Sequence, residues 1–186
     1  MTSPKQPLRF AMLALAAATL ATGVGVALPQ PAPAQSGLTI FGGVAPEFRL
    51  RYLIDFNRPR SRNSRYYLQV ARAMVTQDIV SFEIEYPESF TERRGRLDMN
   101  AIELRQGDWR GGAVIPVQSI EWEEGSGRIV ITPEEPIPAN SNFVIVMSNV
   151  VNPNRYGYHY FNLNAMFQGD VIGRYVGTWP LELGAD

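Results

Sequence analysis

Arginine is the residue type whose spacing most suggests chemistry in this sequence. The segment from Asn57 to Arg72, NRPRSRNSRYYLQVAR, holds five arginines and no acidic residue. Guanidinium groups bind phosphate, sulfate and carboxylate through paired hydrogen bonds. If the flanking strands pair antiparallel, these arginines gather at one edge or end of a sheet. We therefore predict an anion-binding surface made of Arg49, Arg51, Arg58, Arg60, Arg62 and Arg65, with Tyr66 and Tyr67 placed to stack on sugars or on arginine.

The same segment has a second interpretation, in which its charges only keep a loop solvated and an edge strand from aggregating. Glu83, Glu85 or the acids at 121–124 would then lie opposite the arginines and neutralise them. Under the first interpretation, the expected partners are acidic polysaccharide, anionic lipid headgroups or an acidic envelope protein. Nucleic acid is not an expected partner, because the formal net charge is −1 and the chain carries an export signal.

The composition contains few of the residues that bind metals or act in nucleophilic catalysis. His159 is the only histidine and cysteine is absent, so no metal site and no cofactor is predicted. A Ser–His–Asp site would need His159 as its base, yet no Gly-x-Ser-x-Gly motif accompanies it. We predict that His159, within YGYHYF, is a packed strand residue.

Two pairs of carboxylates have the spacing that lets side chains share one face of a strand. They are Glu83 with Glu85, and Glu121 with Glu123. A glycosidase uses two such carboxyl groups. Each pair alternates with apolar residues, however, as the solvent face of any strand does. We predict no catalytic residue and no enzyme, and we keep a glycan-acting enzyme as the alternative.

The N-terminal 34 residues are predicted to be a signal peptide. Lys5 and Arg9 precede an uncharged run, Phe10–Leu28, and Ala32–Ala34 fits the pattern that signal peptidase recognises. Cleavage after Ala34 leaves residues 35–186 as one domain. The alternative is that residues 10–28 stay as a membrane anchor, which would make the chain a tethered subunit of a larger complex. Without a cysteine there is neither a disulfide nor a lipid anchor. The expected compartments are the periplasm, the thylakoid lumen and the cell surface.

Alternation of apolar and polar residues dominates the rest of the chain and is typical of strands with one buried face. Glycine and proline separate the segments, and only 91–100 could hold a helical turn. The predicted strands and hairpins are Arg49–Phe56, Arg65–Ala71, Ile79–Tyr86, Ala101–Arg105, Ala113–Val117, Ser119–Thr132, Asn142–Ser148, Tyr156–Met166 and Arg174–Leu183. We predict a single all-β domain, an immunoglobulin-like sandwich of about seven to nine antiparallel strands.

Several motifs resemble those of known families. The stretch Ile131–Leu163 resembles the late strands of immunoglobulin-like modules in bacterial surface and exported proteins. GLTIFGG from Gly37, IEYP, PIPAN with VIVMSNVVNP, YHYFN and RYVGTW together resemble an exported cyanobacterial family catalogued only as a domain of unknown function. This resemblance implies export and carries over no activity. We predict a non-enzymatic binding or structural module of the cell envelope.

Overall fold

Strands dominate the regular secondary structure of the computed structural model, which describes residues 43–184. The ten strands are β1 (Tyr52–Asp55), β2 (Ser64–Val70), β3 (Ile79–Glu85), β4 (Ile102–Gln106), β5 (Val114–Ile115), β6 (Val117–Glu123), β7 (Arg128–Pro133), β8 (Phe143–Val150), β9 (Gly157–Phe167) and β10 (Arg174–Leu183). One helix, α1 (Glu88–Glu92), follows β3. The predicted signal peptide and its cleavage point lie outside the described residues.

The strands form two antiparallel sheets of five strands each. The first sheet has the order β1-β2-β8-β4-β5, and the second has the order β10-β9-β3-β7-β6. The predicted all-β sandwich is confirmed, with ten strands rather than seven to nine. The predicted segment Ala113–Val117 contains β5, and the predicted hairpin Ser119–Thr132 supplies both β6 and β7, so the ten strands correspond to the predicted segments. Within residues 43–184 no helix is long and apolar enough to cross a membrane.

The core is built by alternating side chains that point inward from both sheets. In β9, every second residue from His159 to Phe167 is buried, and Tyr66, Leu68 and Val70 do the same in β2. β8 is buried on both faces from Phe143 to Met147. On the outer face of the first sheet, Val144 and Val146 pack with Tyr67 and Leu53 in a second, smaller apolar cluster. The sequence predicted this central position from its nearly continuous apolar run.

The chain itself joins the two layers. Before β1, Arg49 forms an isolated parallel bridge with Thr178 of β10, and the Leu50 amide donates to the Thr178 carbonyl at 2.9 Å. Across the core, the Trp179 indole donates to the Gln69 carbonyl at 3.0 Å. These bonds satisfy backbone groups that would otherwise be buried without partners.

His159 lies in an aromatic part of the core beneath α1. It is fully buried, its ring meets Phe90 edge to face at 5.7 Å, and its Nδ1 lies 3.3 Å from the Ser89 hydroxyl. Its Nε2 has no hydrogen-bond partner in the structure. Burial lowers the pKa of His159 to about 4, and the charge of Arg93 acts in the same direction. A neutral imidazole without a carboxylate partner is a packed core residue, as the sequence predicts.

Tyr66 provides a test of the buried hydrogen bonds. Its hydroxyl donates to Asn152 Oδ1 at 2.7 Å in the core. Tyr66→Phe leaves this oxygen without a donor, so we expect the free energy of unfolding to fall by about 1–3 kcal/mol. Tyr158→Phe, at a half-exposed ring, is the control and should change stability by less than about 0.5 kcal/mol. Urea unfolding measures both, and equal effects would contradict the assignment.

His159 makes stability depend on pH. The unfolded chain binds a proton near the ordinary pKa of about 6.5, whereas the folded chain keeps the imidazole neutral down to about 4. Stability should therefore be lost as the pH falls through this window, by up to about 1.4 kcal/mol per pH unit. Carboxylates add their own acid dependence, so the measurement is the difference between the parent and His159→Gln in urea unfolding at several pH values. Parallel profiles of the two proteins would refute the prediction.

Candidate functional site: an arginine-lined cleft

The predicted arginine surface is divided between the two ends of the sandwich. Arg49 and Arg51 precede β1, whereas Arg58, Arg60 and Arg62 follow it in the β1–β2 loop. Four extended residues separate the two groups, which amounts to about 13 Å. The arginines before and after β1 therefore do not form one patch.

The two tyrosines of the predicted surface are not available to a ligand. Tyr66 is fully buried in the core, and Tyr67 is only 4% exposed. Tyr67 lies on the outer face of the first sheet, where the Arg110 guanidinium covers its ring at 5.0 Å. Of the two predicted roles, stacking on arginine is therefore found at Tyr67, and neither ring is exposed for stacking on a sugar.

Arg65 also lies apart from the loop arginines. Its Nε donates to the Ser148 hydroxyl at 3.0 Å on the outer face of the first sheet. On the same face, Asp55 accepts two hydrogen bonds from Arg110 and one from the Tyr67 hydroxyl. The bonds from Arg110 hold the pKa of Asp55 below its usual range. The polar and charged side chains named on this face of the sheet therefore bond to one another.

The loop arginines instead meet a second group that the sequence analysis did not assign to the site. Arg60 and Arg62 line a cleft of about 570 Å³ together with Arg94 and Arg96, from the segment after α1. The cleft lies at the end of the sandwich where β1, β3, β8 and β10 finish, as the strand pairing requires. Two segments more than thirty residues apart thus supply its four guanidinium groups.

The β8–β9 loop holds the two arginine segments on either side of it. The Arg60 amide donates to the Pro153 carbonyl at 3.1 Å, and the Asn152 amide donates to the Ser61 carbonyl at 2.8 Å. On its other side, Arg96 and Val151 exchange a pair of backbone bonds of 3.0 and 2.9 Å. The spacing between the arginine segments is therefore set by backbone hydrogen bonds and not by flexible side chains.

The side chain of Asn152 fixes the conformation of the arginine loop. It accepts from the buried Tyr66 hydroxyl, and its amide group donates to the carbonyls of Phe56 and Arg58 at 3.2 and 2.9 Å. Asn152 is only 1% exposed. A buried side chain that satisfies two loop carbonyls anchors the loop on the core.

Arg94 occupies a backbone position that usually belongs to glycine. The helix α1 ends in a Schellman motif, because the Gly95 amide donates to the Phe90 carbonyl and the Arg94 amide to the Thr91 carbonyl. Arg94 is its left-handed residue, with φ +66°, and Arg60 is also left-handed, at φ +63°. A non-glycine residue pays a steric cost there. Such strain is concentrated at functional sites.

The cleft has an excess of positive charge. None of Arg60, Arg62, Arg94 and Arg96 forms an ion pair among the described residues, whose ion pairs involve other arginines. Glu124, in the turn between β6 and β7, is the carboxylate that lines the cleft. Four guanidinium groups against one carboxylate leave a local positive potential, which attracts anions.

The paired carboxylates lie on the outer face of the second sheet, away from the cleft lining. Glu83 and Glu123 both contact Arg128, at 3.5 and 3.3 Å. Burial raises the pKa of Glu83, although Arg128 opposes the shift; the alternating pattern of the strand does not predict this shift. Among residues 43–184, no group of three or more His, Asp or Glu side chains could hold a metal ion.

A signal for the missed half of the cleft was present in the sequence. Arg93, Arg94 and Arg96 form a second basic cluster within ERRGR, inside the segment 91–100 that was predicted to hold a helical turn. That turn is also displaced: α1 covers Glu88–Glu92, and a 3-10 turn at Met99–Ala101 closes the segment.

The fold is similar to that of several bacterial proteins, an adhesin domain and a pilin fragment among them. The collagen-binding domain of a Staphylococcus aureus adhesin is 11% identical, with a TM-score of 0.41 over 70% of this chain and 93% of that one. An uncharacterised Nocardia farcinica protein with an immunoglobulin-like fold is 11% identical, with a TM-score of 0.42 over 74% and 99%. A fragment of the major pilin of Streptococcus agalactiae is 8% identical, with a TM-score of 0.43 over 72% and 55%.

These similarities are of fold alone, because the identities are so low. No curated protein matches the chain in sequence. The model of one family of proteins of unknown function, DUF2808, matches residues 38–183, nearly the whole span over which the sequence motifs suggested such a family. The chain belongs to the DUF2808 family.

Proposed function

We propose that this protein is a non-enzymatic binding module of the cell envelope that holds an anionic partner in its arginine-lined cleft. The observation that carries the proposal is the convergence of Arg60, Arg62, Arg94 and Arg96 on one cleft without ion-pair partners among the described residues. Guanidinium groups that have no carboxylate partner in the described part of the chain are ready to bind carboxylate, sulfate or phosphate.

Export supplies the setting in which such a module would act. The N-terminal segment of the sequence predicts secretion, and the expected compartments remain the periplasm, the thylakoid lumen and the cell surface. In these places the available anions are acidic polysaccharides, lipid headgroups and acidic proteins. The proposal requires only the chemistry that these share, a negatively charged group within reach of several arginines.

Removal of the cleft charges tests the location of the site. We expect Arg60→Ala, Arg62→Ala and Arg96→Ala together to weaken binding to dextran sulfate by about tenfold or more, since each exposed ion pair contributes up to about 1 kcal/mol. Binding should also weaken as salt rises. Titration of labelled dextran sulfate at low and high salt provides the measurement.

The matched control carries the same change in net charge at the other end of the sandwich. Arg49→Ala, Arg51→Ala and Arg72→Ala remove three exposed arginines that do not line the cleft. Binding close to that of the parent is expected for this variant. An equal loss in both triple variants would mean that net charge alone drives binding, and the cleft would lose its role.

Arg94 allows function to be separated from stability. Arg94→Gly places glycine at a left-handed position, so we expect stability to be unchanged or raised by up to about 1 kcal/mol. The lost guanidinium should weaken dextran sulfate binding by about two- to fivefold. Asn140→Gly, at φ +60° in the β7–β8 loop, is the control and should leave binding intact. A large loss of stability in Arg94→Gly would argue that Arg94 is structural.

The competing function is a glycan-acting enzyme that uses strand carboxylates, and the raised pKa of Glu83 is the observation in its favour. We expect no release of reducing ends from acidic polysaccharides incubated with the protein. Any hydrolysis that is lost in both Glu83→Gln and Glu121→Gln would replace the binding proposal with this alternative.

A further inference from the structure

We propose that the anion is carried by an acidic polysaccharide, with Glu124 accepting hydrogen bonds from sugar hydroxyls and the Phe56 ring packing against a sugar face. This inference rests on the proposed function, because it names the ligand class of the same arginine-lined cleft. It follows from three features of that end of the molecule, namely an acceptor among the donors, an exposed strained aromatic ring and an elongated binding surface.

Glu124 is the first feature. A site built for sulfate or for phosphodiester-type groups, which carry no proton at neutral pH, gains nothing from a carboxylate, which repels the ligand and accepts no hydrogen bond from it. A polysaccharide carries hydroxyl donors between its charged groups, and a carboxylate accepts such bonds strongly. Glu124 lines the cleft with the arginines and is in none of the ion pairs of residues 43–184. The mixture of donors and an acceptor matches a ligand that is both charged and hydroxylated.

Phe56 is the second feature. It is 65% exposed and adopts φ +57° directly after β1. Bulky residues rarely take this conformation, because the side chain crowds the backbone. The core gains little from so exposed a ring, and glycine would relieve the strain. An aromatic face at this position is suited to cover the apolar C–H face of a sugar ring by dispersion and burial.

The third feature is that the binding surface extends beyond one cleft. A second depression of about 850 Å³, lined by Phe56, Arg58 and Arg60, shares Arg60 with the first. A single phosphate or headgroup occupies one such depression. A polymer that lies across Arg60 contacts both, with its charged groups near the arginines and a sugar face near Phe56.

Glu124→Ala tests the hydroxyl acceptor through a ratio of affinities. The probes are polygalacturonate, long-chain polyphosphate, phosphatidylglycerol vesicles and poly-glutamate. We expect the affinity for polygalacturonate relative to polyphosphate to fall about tenfold, as for one lost hydrogen bond to a charged group. Polyphosphate binding itself should stay equal or increase, since a repelling charge is gone. An unchanged ratio would refute the role of Glu124.

Phe56→Gly tests the sugar platform, and Trp109→Gly is its control. Trp109 is also an exposed aromatic residue, 61% accessible at φ +56°, in the β4–β5 loop. Phe56→Gly should lose roughly fivefold in polygalacturonate affinity with polyphosphate binding unchanged, and Trp109→Gly should bind as the parent does. A thermal unfolding curve for each variant identifies any general loss of folding.

The relative affinities of the parent protein for the four probes distinguish the ligand classes. Preference for polygalacturonate over the other three probes supports the polysaccharide. Equal or stronger binding of polyphosphate, vesicles or poly-glutamate, with the cleft triple variant still impaired, overturns the polysaccharide and leaves the anion-binding function intact. Failure of all four probes and of dextran sulfate overturns the proposed function as well.

Discussion

One buried amide, that of Asn152, connects the core of the sandwich to its arginine-bearing end. Its oxygen accepts from the Tyr66 hydroxyl inside the core, and its nitrogen donates to the carbonyls of Phe56 and Arg58. Unpaired, these groups would each cost free energy in a buried setting. The β1–β2 loop is therefore anchored on the core, although Arg60 and Arg62 have no ion-pair partner within residues 43–184. The binding surface that we propose depends on this constraint.

The fold was predictable because one physical signal dominates it. Alternation of apolar residues in segments such as Ile79–Tyr86 indicates which face is buried, and two layers of such strands can only hide those faces against each other. β8 is recognisable as a central strand from its apolar run. The details that escaped prediction depend on tertiary contacts, because the 3-10 turns and α1 lie where backbone bonds to neighbouring loops decide the conformation.

The candidate site was predictable only in part, because proximity between distant segments is not encoded by local pattern. Arg60 and Arg62 were expected at a sheet end, but their pairing with Arg94 and Arg96 requires the Val151–Arg96 bridge that brings the segments together. The burial of Tyr66 is predictable from the sequence, since Tyr66 alternates with Leu68 on the buried face of β2. Tyr67 could not, because the loop that places Arg110 over its ring is irregular.

Left-handed backbone at bulky residues is concentrated at the arginine-bearing end of the protein but is not confined to it, because Trp109 in the β4–β5 loop also has φ +56°. A charged residue that only keeps a loop soluble does not need a left-handed backbone position, because glycine or asparagine adopts that conformation at a lower steric cost. Three bulky residues at the arginine end do so, Phe56, Arg60 and Arg94. At Arg94 the Schellman motif makes the comparison direct, because its hydrogen bonds are complete and only the side chain is unfavourable. The strain at Arg94 therefore comes from its side chain, and the proposed anion-binding cleft gives that guanidinium a role.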